Sequence, residues 1–170
     1  VLQEMNQGSE ASYLLEITAE ILEKKEGKHF LVDLILDQAS SKGTGMWSSS
    51  AALALGSVNT MMSASVFARY LSSFKTERVA LSARKPKAKK QVDLDVKSLI
   101  KAYRFARIVN HIQGFNLIEN ASQQCGWEYN PSETARIWTQ GCIIRSRLME
   151  ALVQAFKIEK SLFNNTAILD

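Results

Sequence analysis

Apolar residues recur along this chain at intervals of three and four, and strand-like alternation is nearly absent. Leu14, Ile17 and Ile21, with Leu15 and Leu22, form the first stripe. They predict a helix that begins after Ser9, a fitting N-cap, and ends near Gly27, where glycine can take the left-handed C-cap conformation. A short apolar piece from Phe30 to Leu36 follows, then the loop Ser40-Ser41-Lys42-Gly43-Thr44-Gly45. A second helix is expected from about Trp47 to Leu55, stopped by Gly56. Asn59 is placed to cap a third, which runs to about Arg84 with a bend near Lys75 and Thr76.

In the second half, Asp93 or Asp95 opens a long helix that ends near Gly126. Lys97, Lys101, Arg104, Arg107 and His111 share its polar face, and Phe105, Val109, Ile112 and Phe115 its apolar face. The clearest start signal comes next: Asn130 as cap, Pro131 at the first helical position and Glu133 three residues after the cap. A final long helix carries Ile144, Leu148, Ala151, Leu152 and Ala155 on one side, with Arg147, Glu150, Gln154 and Lys157 on the other. The tail from Ser161 to Asp170 reads as a short turn and a frayed end. The fold class is therefore all-α, with a core made by helix-on-helix packing.

The stretch from Gly43 to Ala68 carries no charge. Its serines, Asn59, Thr60 and the break at Gly56 argue against a membrane span, which needs about 20 mainly apolar residues. A helical hairpin, buried inside the protein or against a partner, fits better and becomes the expected centre of the fold. The 170 residues and the 46% apolar share suit one domain with a real core. Cys125 and Cys142 are far apart, which points to a reducing compartment without a disulfide framework. No signal peptide is expected from the opening residues. The net charge of +4 is concentrated in Arg84, Lys85, Lys87, Lys89 and Lys90 around Pro86. With no aromatic residue interleaved, this cluster reads as a solvated loop and not as a nucleic-acid surface.

Chemistry concentrates at Lys42-Gly43-Thr44-Gly45. Two glycines let backbone N–H groups turn inward, Thr44 adds a hydroxyl, Lys42 adds a charge, and a helix N-terminus points at the same place. That describes an anion site, although glycine-rich helix starts also serve as plain turns. It is not a Walker loop, since that motif's first glycine is missing and no Ser or Thr follows the lysine. Trp47 to Ser57 and Asn59 to Arg69 each span about 15 Å of helix. An antiparallel hairpin therefore brings Arg69 level with the Lys42–Thr44 loop, where its guanidinium could grip a phosphate or simply mark a surface edge. His29 and His111 stand alone, without metal-ligand spacing. Cys142 reads as a packing residue, and Arg145 and Arg147 as salt-bridged or exposed. No catalytic set, no metal site and no dinucleotide fingerprint is evident, so the chain reads as a binding domain.

The run from Ile35 through Asp37-Gln38-Ala39-Ser40-Ser41-Lys42-Gly43-Thr44-Gly45-Met46-Trp47 closely resembles the signature of 6-phosphogluconate dehydrogenases, departing at Ser40 where that family usually has Gly or Ala. Leu14 to Leu22, Val66-Phe67-Ala68-Arg69-Tyr70-Leu71-Ser72-Ser73, Gln113-Gly114-Phe115 and Trp138 to Ser146 are similar to family segments in the same order. Ser57 and Asn59, at the hairpin turn, depart from the usual pattern. The resemblance implies that residues 1–170 form part of the all-helical substrate-binding and dimerisation domain. The family's N-terminal Rossmann domain and its C-terminal tail would lie outside it. It implies NADP-dependent oxidative decarboxylation of 6-phosphogluconate to ribulose 5-phosphate and CO2 in the cytoplasm. It further implies that Lys42, Thr44 and Arg69 hold the substrate phosphate, with Gly43 and Gly45 shaping the loop. The family's base and acid fall outside this chain, which alone is not expected to turn over substrate; a homodimer through the helical domain is. The competing expectation is a non-catalytic helical scaffold or a diverged paralogue, against which the retention of Lys42, Thr44 and Arg69 counts.

Overall fold

The computed structural model describes residues 1–84 and 95–169. Most of the basic cluster, from Lys85 to Lys90, lies outside the described residues, as does Asp93. The order of elements is α1 (Leu2–Gln7), α2 (Tyr13–Glu23), β1 (Lys25–Glu26), β2 (His29–Phe30), a 3-10 turn (Leu31–Asp33), α3 (Thr44–Ala54), α4 (Thr60–Ser73), α5 (Lys75–Ser82), α6 (Val96–Cys125), α7 (Pro131–Ile137), α8 (Arg147–Ile158) and α9 (Thr166–Leu169). The all-α expectation holds; the one sheet described is a two-stranded ribbon pairing Lys25 with Phe30 and Glu26 with His29. The chain divides into two compact units, one of residues 1–35 and 122–170, the other of residues 36–121.

In the first unit, α2 is capped by Ser12, whose hydroxyl accepts from the Leu15 N–H, and not by Ser9. Ser9 instead donates to Glu10 one residue on, ahead of the turn that leads into α2. Gly27 does not cap α2, which already ends at Glu23. It sits at φ 60° as the first of two residues turning β1 into β2, where a left-handed residue matches the twist of the ribbon. Ser146 caps α8 as Ser12 caps α2, and the two serines form an antiparallel bridge. Tyr13 N–H donates to the Arg145 carbonyl at 3.2 Å and Arg147 N–H to the Ala11 carbonyl at 3.1 Å. Asn130 caps α7 by accepting from the Glu133 N–H, with Pro131 at the first position as expected.

The core of this unit gathers Met5, Leu15, Ala19, Ala135 and, from α8, Met149, Leu152, Ala155 and Phe156. The expected stripe on α8 is therefore rotated: Ala151 is exposed, Ile144 precedes the helix, and Met149 and Phe156 take their places. The tail is not frayed. Asn165 is buried and donates to the Ala155 and Glu159 carbonyls at the end of α8, and Leu162 and Ile168 are buried beside it. The Ala155 carbonyl also accepts from the Glu159 N–H, so the asparagine adds a second bond there and reaches the Glu159 carbonyl beyond the helix end.

In the second unit, α3 ends in a Schellman turn. Ser57 N–H donates to the Ala52 carbonyl and Gly56 N–H to the Leu53 carbonyl, with Gly56 at φ 62°. The third helix ends at Ser73 and a new one starts at Lys75, a full break where a bend was expected. Its cause is local: the Ser72 and Ser73 hydroxyls donate to the Arg69 and Tyr70 carbonyls and occupy acceptors near the end of α4. Asp95 starts α6, accepting from the Lys97 and Ser98 N–H groups and the Ser98 hydroxyl. The Ser98 hydroxyl first, then those two amides, hold its carboxyl below the usual range. Ile112 and Phe115 of α6 are buried, whereas Phe105 is 70% exposed, so the apolar face of α6 is buried only toward its C-terminal half.

The hairpin forms from α3 and α4, as expected, but within this chain it is not a buried centre. Leu53 is 85% exposed, Phe67 67% and Trp47 66%. Only Ala52 and Asn59 are buried between Gly43 and Ala68. The absence of charge there marks a surface of the single chain. No helix among the described residues is long and apolar enough to cross a membrane.

Candidate functional site

Position along the hairpin follows from its cross-links. Asn59 donates to the Ser48 hydroxyl at 3.2 Å, and the Ser49 and Ser63 hydroxyls lie 3.0 Å apart. At the far end, a Cβ added to Gly45 would meet Val66 Cγ2 at 2.7 Å, so the first turn of α3 presses on α4 there. Beyond it, the Ser72 hydroxyl accepts from the Ala39 N–H at 3.0 Å and reaches the Ala39 carbonyl at 3.4 Å. The segment carrying Lys42 and Thr44 is thus tied to α4 at both ends, at Ser72 and at Val66. Arg69 stands midway between these, three residues from each, one turn of helix either way.

Helix α3 starts at Thr44, three residues earlier than expected. Thr44 and Gly45 are therefore helical and not part of a loop, and Gly43, at φ 89°, is the N-cap. A left-handed residue at that place lets the chain turn into the helix; Gly43 N–H is steadied by the Ser41 hydroxyl at 3.2 Å. Ser12, Asn130 and Ser146 cap α2, α7 and α8, whereas no side chain caps α3. Its first N–H groups thus have no side-chain cap, and the positive end of the helix dipole lies behind them. Lys42, Thr44 and Arg69 are all exposed.

Three residues missed by sequence reasoning hold this corner. Arg78 of α5 donates through one terminal nitrogen to Asp37 Oδ2 at 3.0 Å, and through the other to the Asp37 carbonyl at 2.7 Å and the Ser72 carbonyl at 3.2 Å. Lys75 donates to the Leu36 carbonyl. Ser72, Lys75 and Arg78 recur every third residue, a spacing that places polar groups along one side of a helical run and could have drawn attention to them. At the other end of the hairpin, buried Gln113 of α6 accepts from the Met61 N–H at 2.9 Å and donates to the Thr60 hydroxyl at 2.8 Å. It caps α4 in place of Asn59, which is turned toward Ser48. Asn120 donates to the Ser57 hydroxyl at 2.7 Å. Ser57 and Asn59 are both used in these cross-links.

The remaining candidates are accounted for locally. Arg145 lies over the Tyr13 ring at 3.7 Å and donates to the Cys142 carbonyl. Arg147 is exposed at the start of α8, and His29 is exposed in β2. Cys125 and Cys142 are free thiols. His111 places Nδ1 2.7 Å from the Arg107 carbonyl.

These features define an all-helical domain whose exposed polar chemistry is suited to binding. The sequence matches the 6-phosphogluconate dehydrogenase C-terminal domain family over residues 1–168, and the chain belongs to that family. It is 39% identical over 170 residues to the "6-phosphogluconate dehydrogenase, decarboxylating" of Lactococcus lactis subsp. cremoris, covering 96% of this chain and 36% of the relative. The proteins of the same name from Citrobacter freundii and Salmonella typhimurium are each 41% identical, over 167 and 158 residues. Those matches cover 95% and 90% of this chain, and 37% and 34% of the relatives. The chain thus spans about a third of the length of the relatives it matches.

Proposed function

We propose that this chain is the substrate-binding part of an NADP-dependent 6-phosphogluconate dehydrogenase, which converts 6-phosphogluconate to ribulose 5-phosphate and CO2 in the cytoplasm. Lys42, Thr44 and Arg69 hold the substrate's phosphate. The observation that carries this is the side-chain-free N-terminus of α3, with Lys42 and Thr44 at it and Arg69 on the adjoining turn of α4. Backbone N–H groups, a hydroxyl, an ammonium and a guanidinium make a complementary set for a phosphate dianion. Anchoring the phosphate, far from the reacting carbons, supplies orientation rather than proton transfer.

NADP would accept the hydride. The described residues of this chain do not fit it: their only strands are the two-residue pair β1 and β2, with no strand–turn–helix for a pyrophosphate. The cofactor therefore belongs to another part of the protein, and this chain measured by itself is expected to be inactive. The exposed apolar side of the hairpin, with Trp47, Leu53, Val58, Phe67 and Leu71, favours a homodimer formed through the helical domain.

The test is NADPH formation by the full-length protein that carries this chain. Arg69→Ala should raise KM for 6-phosphogluconate by about 10- to 100-fold, as expected for a lost charge-assisted pair, while KM for NADP stays put. An unchanged KM for 6-phosphogluconate would remove Arg69 from the site. Absence of turnover in the unmutated protein would favour the scaffold reading.

A further inference from the structure

We infer that Arg78 is a positioning residue for the phosphate site, acting through the backbone of Asp37 and Ala39. This rests on the reading of Lys42, Thr44 and Arg69 given above. Arg78 is five residues beyond the end of α4 and touches none of those three among the contacts described. Its guanidinium makes three bonds, two to Asp37 and one to the Ser72 carbonyl across the α4–α5 break.

The geometry gives those bonds a specific task. Asp37 is the only non-glycine among the described residues with a positive φ, 54°, a conformation that L side chains adopt at a cost. It persists when surrounding bonds over-determine it, and here the Asp37 carboxylate and carbonyl are both fixed by one planar fork. Lys75 holds the preceding carbonyl, Leu36, and Ser72 holds Ala39 two residues later. From Ala39, three residues lead to Lys42 and five to Thr44. The same Ser72 donates its hydroxyl to the Arg69 carbonyl at 2.6 Å. Arg78 therefore joins, through one short network, the strand of chain that delivers Lys42 and Thr44 and the helical turn that presents Arg69. A guanidinium is needed because two carbonyls and a carboxylate must be met at once; a lysine ammonium lacks the planar fork. The side chain is 31% exposed, so Arg78 is a half-buried brace.

The experiment compares Arg78→Lys, Arg78→Ala and Asp37→Asn with Arg69→Ala in the full-length protein, using inorganic phosphate as a competitive probe. Arg78→Lys should raise KM for 6-phosphogluconate and the inhibition constant for phosphate together, by about tenfold for a site displaced by a fraction of an ångström. kcat should stay within about twofold, and KM for NADP and Tm near the unmutated values, since only ground-state and transition-state binding of the phosphate are weakened alike. Arg78→Ala should do more in the same direction. Asp37→Asn keeps an oxygen acceptor and should do less. Unchanged constants in Arg78→Lys, beside an Arg69→Ala that raises both, would overturn the positioning role and leave the phosphate site standing. Parallel losses in kcat, Tm and both KM values would make Arg78 a general structural residue and equally overturn it. Arg69→Ala leaving both constants unchanged would overturn the phosphate reading itself, and this inference with it.

Discussion

At the scale of single residues, Gly45 and His111 show how local packing and burial decide behaviour. The Gly45 Cα faces Val66 so closely that a Cβ would stand 2.7 Å from a stiff, β-branched side chain. Gly45→Ala should therefore destabilise by about 1–3 kcal/mol through overpacking, and Val66→Ala in the same chain should recover part of that. Urea unfolding of the two single variants and the double variant measures the coupling, and simple additivity would contradict the contact. His111 is pushed below the ordinary imidazole value of about 6.5, first by burial. The Arg107 carbonyl on Nδ1 opposes that shift, and the Arg107 charge adds to it. Between the lower folded value and the unfolded value the unfolded chain binds more protons, so stability rises with pH there. The contribution is complete above about pH 6.5 and is lost as the pH falls through that window. His111→Gln should flatten the dependence of unfolding free energy between about pH 7 and pH 5, read by urea titrations at several pH values.

At the scale of elements, the chain's starts and stops follow its polar residues more than its apolar stripes. The start of α7 at Asn130-Pro131 and the stops at Gly56 and Gly126 are legible because each uses a local signal, a cap hydrogen bond or a left-handed glycine. The start of α4 falls at Thr60, after Asn59 as expected, but its side-chain cap comes from Gln113, which lies 52 residues from Met61 in sequence. No local pattern announces a cap supplied by another helix. Gln113→Ala would leave the Met61 N–H of a half-buried turn without its partner and should cost about 1–3 kcal/mol. Hydrogen exchange at the Met61 amide should rise more than at amides in the middle of α4. The shift of the α3 start from Trp47 to Thr44 has, by contrast, a local origin. Gly43 carries the turn, so Thr44 and Gly45 can enter the helix although their propensities argue against it. The network of Ser72, Lys75 and Arg78 was hidden for another reason: apart from the Asp37 carboxylate its acceptors are backbone carbonyls, which leave no mark in the sequence.

At the scale of the whole molecule, the helical class and the pairing of α3 with α4 are both readable from residue pattern, since one follows from periodicity and the other from a short turn between neutral helices. What the pattern could not tell is which apolar faces this chain covers itself. The residues of α8 and α9 bury one another and α7, whereas Trp47, Leu53 and Phe67 remain open. Periodicity marks a face as apolar without naming its cover. If a second copy covers the hairpin, sedimentation equilibrium of the full-length protein should give a dimer, and Phe67→Glu should shift it toward the monomer by placing an unpaired charge in the interface. A monomer at high concentration before mutation would contradict that arrangement.

Direct binding tests the phosphate site without depending on turnover. Calorimetric titration of the full-length protein with 6-phosphogluconate and with gluconate measures what the phosphate contributes. The phosphorylated compound should bind more tightly, and Arg69→Ala should remove most of the difference while the weak affinity for gluconate is unchanged. A difference that survives Arg69→Ala and Lys42→Ala alike would place the phosphate elsewhere and contradict the account.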